Sequence, residues 1–146
     1  MNNVWGNLEQ LGSEYTCIAF DVGRTHTGIA IGNSVLQQGK ALPAITFENY
    51  HPTSWQQITD LLAEWQVGLI IVGEPKDTPK TAKKMHGFAK AIFKQTAITT
   101  VMVDESYTTV TAKDDFIARN RKLPEKTEID SLAATLLIQH WFDIYA

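Results

Sequence analysis

The stretch Thr16–Gly32, TCIAFDVGRTHTGIAIG, decides the fold of this 146-residue chain. An apolar run, Cys17–Phe20, ends in the carboxylate of Asp21, and a second apolar run follows at 28–32 after a short polar segment. Runs without polar alternation predict strands buried on both faces, and the short glycine-containing connection makes the pair a hairpin. Asp21 is therefore expected at the carboxyl end of a central strand, where open α/β sheets bind ligands. However, an Asp two residues before a Gly is also common in turns, because its side chain bonds nearby backbone N–H groups.

Composition predicts a single domain over residues 15–146, preceded by an N-terminal extension over residues 1–14. Hydrophobic residues make up 44% of the chain, as in ordinary globular domains. The single cysteine, Cys17, excludes a disulfide within the chain and a thiolate metal cluster, and it suits a reducing, cytoplasmic setting. No secretory signal pattern opens the sequence and no apolar run reaches membrane-spanning length, so we expect no membrane association.

Charge is distributed unevenly along the chain. The net charge is −3, which alone argues against a nucleic-acid ligand. However, residues 76–126 contain eleven of the thirteen Lys and Arg but six of the sixteen Asp and Glu. That segment carries +5 and the remainder −8. Such asymmetry favours a polyanion-facing side over the alternative of merely solvated lysine-rich helices.

Hydrophobic periodicity predicts the order β-β-β-α-β-α-β-α-α. The strands are expected over 16–22, 26–32, 40–47, 67–72 and 98–103, and the helices over 53–65, 78–94, 108–118 and 127–142. The first three strands form an antiparallel meander. Because the last two are each reached through a helical crossover, they should lie parallel to the first. The predicted architecture is a mixed five-stranded α/β sheet with helices on both faces.

Carboxylates follow three of the predicted strands. Asp21 ends the first, Glu74 follows the fourth, and Asp104 and Glu105 end the fifth. Because the carboxyl ends of parallel strands share one edge of a sheet, these side chains should gather there.

A further carboxylate, Asp130, lies in the first turn of the last predicted helix. Thr127 and Asp130 have the spacing of a capping box, which gives Asp130 a structural role. However, Ala134, Leu137 and Trp141 follow it at helical spacing, so Asp130 should point inward, where a carboxylate needs a partner. Capping and metal ligation are compatible, and we expect both.

Crowded carboxylates repel one another, and hard divalent cations are the natural partners that stabilise them. Mg²⁺ takes few protein carboxylates and keeps water and phosphate oxygens, and two such ions can clamp the oxygens of a phosphodiester displacement. The four histidines have no ligand spacing and give no case for zinc.

Five segments, in order and in register, resemble the YqgF/RuvX family of bacterial RNase H-fold proteins, described as Holliday junction resolvases and pre-16S rRNA nucleases. The resemblance covers residues 16–142. The segments are FDVGRTHTGIAIG (20–32), LPAI (42–45), IIVGEP (70–75), VDESYTT (103–109) and KTEIDSLAA (126–134).

This resemblance implies an RNase H-like sheet with strand order 3-2-1-4-5. It implies that Asp21, Glu105 and Asp130 are the catalytic, metal-binding acids, with Lys126 matching a lysine just before the last of them. Asp104 and Glu74 are further candidate metal ligands. Two departures concern activity: Ser106 stands where the family usually has Arg, and the loop 73–77 is short and charged.

The main hypothesis is a nuclease that uses Mg²⁺ or Mn²⁺ to cut structured RNA; the resemblance implies the 5′ end of the 16S rRNA precursor as the target. Basic side chains would contact backbone phosphates, which position a substrate without reading its sequence. The candidates for this contact are Arg119, Arg121, Lys122, Lys126, Lys80, Lys83 and Lys84.

Three alternatives remain at this point. A DNA junction resolvase would use the same chemistry but should be dimeric, because two symmetric strands must be cut. The Asp21 hairpin also resembles the phosphate-binding hairpin of actin-like ATPases and sugar kinases, which need two such lobes where this chain has one. The third is a non-catalytic RNA-binding or ribosome-assembly module.

Overall fold

The computed structural model describes residues 3–75, 78–105 and 126–145, and for 126–130 the backbone alone. The predicted helix 108–118 lies outside these residues. In chain order, the described elements are β1 (Val4–Trp5), a 3-10 helix (Leu8–Leu11), β2 (Thr16–Asp21), β3 (His26–Asn33), β4 (Gly39–Glu48), β5 (His51–Pro52), α1 (Trp55–Glu64), β6 (Leu69–Glu74), α2 (Pro79–Thr96), β7 (Thr99–Asp104) and α3 (Lys126–Tyr145).

The described strands form one sheet in the order β1-β7-β6-β2-β3-β4-β5. Strand β2 pairs antiparallel with β3, from Thr16 opposite Asn33 to Asp21 opposite Gly28, and parallel with β6. Strand β6 in turn pairs parallel with β7. The five predicted strands and their order are therefore confirmed, and the described sheet gains two short strands at its edges.

The added strand β1 places part of the N-terminal extension, residues 1–14, in the sheet itself. Val4 pairs with Val101 of β7, and the Trp5 ring meets the His86 ring edge-on at 5.0 Å. A 3-10 helix follows, with the Asn7 side chain accepting a hydrogen bond from Glu9 N at 3.0 Å. The N-terminal segment thus covers the β7 edge of the sheet.

Helices cover both faces of the sheet, as predicted. Helices α1 and α2 cover one face, where Ile18 and Phe20 of β2 are buried against Phe88 and Ile92 of α2. Helix α3 packs across β2, β3 and β4 on the other face. There, Cys17 and Ala19 contribute to a second core, and burial raises the pKa of the Cys17 thiol to about 12, so this thiol is inert.

Alternation along the strands divides these two cores. Residues 18 and 20 of β2 face α1 and α2, whereas residues 17 and 19 face α3. The same alternation holds for β6 and β7, because successive side chains of a strand point to opposite faces. We call the two sides the α1/α2 face and the α3 face.

Helices α1 and α2 begin within two residues of their predicted starts, and the start of α3 corrects one expectation. Ser54 caps α1 by accepting a hydrogen bond from Gln57 N at 3.2 Å, and Pro79 occupies the start of α2 after Thr78. Helix α3 begins at Lys126, so Thr127 is helical rather than the expected cap, which would need non-helical dihedrals. Within the described ranges, no helix is both long and apolar enough to cross a membrane.

Candidate active site

The hairpin between β2 and β3 places Asp21 at the edge of the sheet. A Cβ atom at Gly23 would overlap the backbone oxygen of His26, so the turn tolerates no side chain there. Gly23 N also donates a hydrogen bond to the Thr27 side chain at 3.3 Å, and Thr27 is fully buried. The glycine two residues after Asp21 is therefore a steric requirement of the turn that directs the strand end.

Asp21 and Glu105 come together at this edge, on the α3 face. Their carboxyl groups are hydrogen-bonded to each other. Glu105 follows β7 directly, and its backbone N–H donates to Glu74 O at 3.1 Å, which continues the ladder beyond the strand. Because β2, β6 and β7 are parallel and in register, these two acids, which are distant in sequence, contact each other.

Burial raises the pKa of both acids, and for Glu105 the neighbouring negative charges raise it further. The pKa of Glu105 is raised from 4.5 to about 8. The largest cause is burial, followed by the negative charge of Asp21, the hydrogen bond with Asp21 and the negative charge of Asp104. Burial likewise raises the pKa of Asp21, against the lowering effect of the hydrogen bond with Glu105. Without a cation, the pair therefore retains a proton at neutral pH, with Glu105 donating it toward the Asp21 carboxylate.

Gly73 makes room for Glu105. A Cβ atom at this position would overlap Glu105 Oε2 and would approach Leu137 Cδ1 to 3.0 Å. Glu105 Oε2 is buried, so its carboxyl group lies between the β6 backbone and helix α3. A side chain at position 73 would displace that carboxyl group.

Glu74 and Asp104, the two further candidate ligands, lie on the α1/α2 face. They are paired across β6 and β7, and each follows a residue that faces α3, Gly73 and Val103 respectively. Glu74 accepts a hydrogen bond from the Asn3 side chain at 2.9 Å. The sheet therefore separates these two carboxylates from the contacting pair.

Asp130, the third predicted acid, is in the first turn of α3, and its side chain lies outside the described residues. The next residue, Ser131, is fully buried. Its hydroxyl accepts a hydrogen bond from Ile29 N at 3.0 Å and donates one to Leu42 O at 2.6 Å. Since Gly28, adjacent to Ile29, is the partner of Asp21, these bonds anchor the start of α3 beside the acid pair.

The predicted phosphate contacts fall into two groups. Lys80, Lys83 and Lys84 are exposed on the first turns of α2, which starts after the carboxyl end of β6 and therefore at the site's edge. Arg119, Arg121 and Lys122 lie outside the described residues, as do the Lys126 side chain and Ser106.

Within the described part of the chain, no group of three or more His, Cys, Asp or Glu side chains is placed to hold a metal ion. Asp21 and Glu105 supply two carboxylates, the oxygen ligands that Mg²⁺ prefers. Among the described residues, no positively charged group is among the causes that shift the two pKa values. The donor set therefore fits a hard divalent cation.

Sequence reasoning missed three residues of this arrangement: Gly73, Ser131 and Asn3. Gly73 and Ser131 both lie in segments that resemble the family. Only the distances in the structure show that Gly73 leaves room for Glu105 and that Ser131 anchors α3. Asn3 gave no signal, because its bond to Glu74 spans 71 positions.

Comparison with known proteins identifies the family of this chain. The family model described as "RuvX: Holliday junction resolvase" matches residues 15–144. A protein of Acinetobacter baylyi, named "Putative pre-16S rRNA nuclease", is 34% identical over 135 residues, covering 89% of this chain and 91% of its own. A protein of the same name from Glaesserella parasuis is 32% identical over 133 residues, covering 88% of this chain and 96% of its own.

Two solved structures share the fold at low sequence identity. The fowlpox virus Holliday junction resolvase matches with a TM-score of 0.58 and 16% identity, covering 90% of this chain and 99% of its own. Thermus thermophilus RuvC, solved with a Holliday junction, matches with a TM-score of 0.55 and 14% identity, covering 89% of this chain and 94% of its own. The fold is therefore that of the RNase H-like resolvases, and the chain belongs to the RuvX (YqgF) family.

Proposed function

We propose that this chain is a divalent-metal-dependent nuclease that cuts structured RNA, with Asp21, Glu105 and Asp130 as its catalytic acids. The observation that supports this most directly is the contacting pair Asp21 and Glu105 at the carboxyl edge of parallel strands. Two partly buried acids with raised pKa values at such an edge are typical of a functional site, because a merely structural pair would lose stability by repulsion.

Asp21, Glu105 and Asp130 would hold Mg²⁺ or Mn²⁺. When bound, the cation supplies positive charge against the phosphodiester oxygens and a water molecule of lowered pKa. The residues themselves prepare the site: partial burial raises the Glu105 pKa, and Gly73 lets the Glu105 carboxyl group lie close to the strands. Cation and proton compete for the pair, so binding should strengthen as the pH rises through about 8.

The proposed substrate is the 5′ end of the 16S rRNA precursor, which would place the protein in the cytoplasm. The names of the relatives support this choice. The exposed Lys80, Lys83 and Lys84 support a polyanion, since they lie on the first turns of α2, which begins beyond the carboxyl edge of β6 on the α1/α2 face. They would bind phosphates of either strand and fix the position of the RNA.

DNA junction resolution is the second candidate, and the description of the family model favours it. The two activities differ in substrate and in assembly. Purified protein should be tested on precursor RNA and on a four-way DNA junction in parallel, with its size measured in the presence of the junction. Cleavage of the RNA alone supports the first function; paired cuts in the junction by a dimer support the second.

A matched pair of variants tests the site itself. Glu105→Gln should abolish cleavage, because it removes one of the two contacting carboxylates. Glu74→Gln should retain cleavage, because Glu74 lies on the α1/α2 face and the amide oxygen can still accept the Asn3 hydrogen bond. Equal loss in both variants would contradict this assignment of the acids.

A further inference from the structure

The turn between β4 and β5 contains a strained aromatic residue. Asn49 and Tyr50 both have left-handed backbone conformations, with φ of 50° and 68°. Two-residue hairpin turns of this kind favour Asn followed by Gly, because the second residue also needs positive φ. Asn49 fits that rule, but Tyr50 does not, because a bulky side chain is rarely found at positive φ. Strained residues of this kind are concentrated at functional sites.

This turn lies at the same edge of the sheet as the acid pair. Strand β4 runs parallel to β2, since both pair antiparallel with β3. Tyr50 N donates a hydrogen bond to Arg24 O at 3.1 Å, and Arg24 is exposed in the hairpin that follows Asp21. The Tyr50 turn is therefore joined to the Asp21 hairpin, toward the α1/α2 face.

A cavity of about 180 Å³ opens beside Tyr50. Its lining includes Tyr50, His51, Trp55, Lys84, Gly87 and Phe88. The Lys84 ammonium lies 5.3 Å from the centre of the Tyr50 ring, and the Trp55 ring stacks on Phe88 at 5.8 Å with 12° between the planes. Since a cavity of roughly 150 Å³ accepts a benzene ring, this one has room for a single aromatic ring system.

Gly87 lines this cavity from α2. It lies in the interior of α2, where Gly is unfavourable relative to Ala. A Cβ atom at position 87 would meet nothing within 4 Å, so packing within the described residues does not require Gly there. Gly87, whose position has room for a side chain, and Tyr50, whose backbone conformation is strained, thus line the same cavity.

We propose that this cavity is a subsite for one unpaired nucleobase of the RNA substrate. The base would stack against Tyr50 and Trp55, and Lys84 would neutralise the adjoining phosphate. Aromatic stacking combined with a nearby cation is how proteins hold single-stranded nucleotides. This inference rests on the proposed nuclease function and adds that the preferred substrate carries a single-stranded extension beside the duplex.

Binding of two labelled RNAs tests the proposal: a blunt duplex, and the same duplex with a short single-stranded extension. The measurements use metal-free buffer, fluorescence anisotropy and a temperature well below every Tm. The wild-type protein should bind the extended duplex about tenfold more tightly, the gain that one stacked base commonly gives.

Tyr50→Gly should remove this preference, because it deletes the ring while giving the turn the residue it favours. Ala97→Gly is the matched control: Ala97 also has a left-handed backbone, with φ of 58°, but lies outside the cavity lining, and this variant should keep the preference. Gly87→Leu, which fills the cavity from α2, should remove it independently of any change at the turn.

The possible outcomes separate this proposal from the proposed function. If the wild-type protein binds both RNAs equally, or if Tyr50→Gly and Gly87→Leu both keep the preference, the subsite is refuted while the nuclease function stands. If the wild-type protein binds neither RNA, the subsite is refuted, and the nuclease function is judged separately by cleavage in the presence of the divalent cation.

Discussion

Replacing Glu105 by Gln should change how the stability of the protein depends on pH. The folded state raises the pKa of Glu105 from 4.5 to about 8, so between these values the folded chain holds a proton that the unfolded chain has lost. Stability from this group is therefore fully present below pH 4.5 and is lost as the pH rises through about 8. Gln is neutral at every pH, so Glu105→Gln should not show this loss.

The magnitude follows from the size of the pKa change. A rise from 4.5 to about 8 corresponds to at most roughly 5 kcal/mol. Glu105 is only partly buried, and solvent screening reduces the expected effect to about 2 kcal/mol. The variant should match the wild-type protein near pH 5 and exceed its free energy of unfolding by about 2 kcal/mol near pH 9.

Urea denaturation in EDTA at pH 5, 7 and 9 measures this difference directly. Glu74→Gln is the control, because Glu74 lies on the α1/α2 face, away from the acid pair, and its variant should follow the wild-type pH dependence. A difference between Glu105→Gln and wild type that is the same at pH 5 and pH 9 would refute the raised pKa of Glu105 in this acid pair.

Three further predictions concern the surroundings of the pair. Gly73→Ala should displace the Glu105 carboxyl group by about 1 Å and lower kcat/KM for RNA cleavage roughly 100-fold. Circular dichroism should show that the fold is retained, and unchanged kinetics would contradict the steric argument. Ser131→Ala leaves Ile29 N and Leu42 O without their hydroxyl partner, so the free energy of unfolding measured in urea should fall by about 2–4 kcal/mol. A fall below about 1 kcal/mol would mean that these two hydrogen bonds are not needed to hold α3 in place. Lys83→Ala should weaken RNA binding and reduce the slope of log affinity against log salt by about one, and an unchanged slope would remove this lysine from the phosphate contacts.

Much of the fold could be predicted from sequence because its strong signals are local. The apolar runs ending in Asp21 and Glu74 are long enough to indicate buried strands, and the helical crossovers fix their parallel direction. Strand β1 could not be predicted, because two residues carry no periodicity and the strand exists only through pairing with β7.

The strand pattern alone predicts the site as a group of acids, and the choice of Glu105 as the partner of Asp21 comes from the family resemblance. Strand β7 is apolar on both faces, so its sequence does not show whether Asp104 or Glu105 faces α3. The structure decides through register: Glu105 reaches Asp21, whereas Asp104 pairs with Glu74 on the opposite face. The strain at Tyr50 was equally invisible, because a backbone dihedral of a single residue leaves no pattern in the sequence.

Cleavage of an RNA that contains the 5′ end of the 16S precursor tests the central claim most directly. Wild-type protein and Asp21→Asn are compared with Mn²⁺ or Mg²⁺ and with EDTA. We predict cleavage by the wild-type protein that requires the divalent cation and is lost in Asp21→Asn. Cleavage that persists in EDTA, or that Asp21→Asn retains in full, would contradict a metal-dependent nuclease built on the acids at this edge of the sheet.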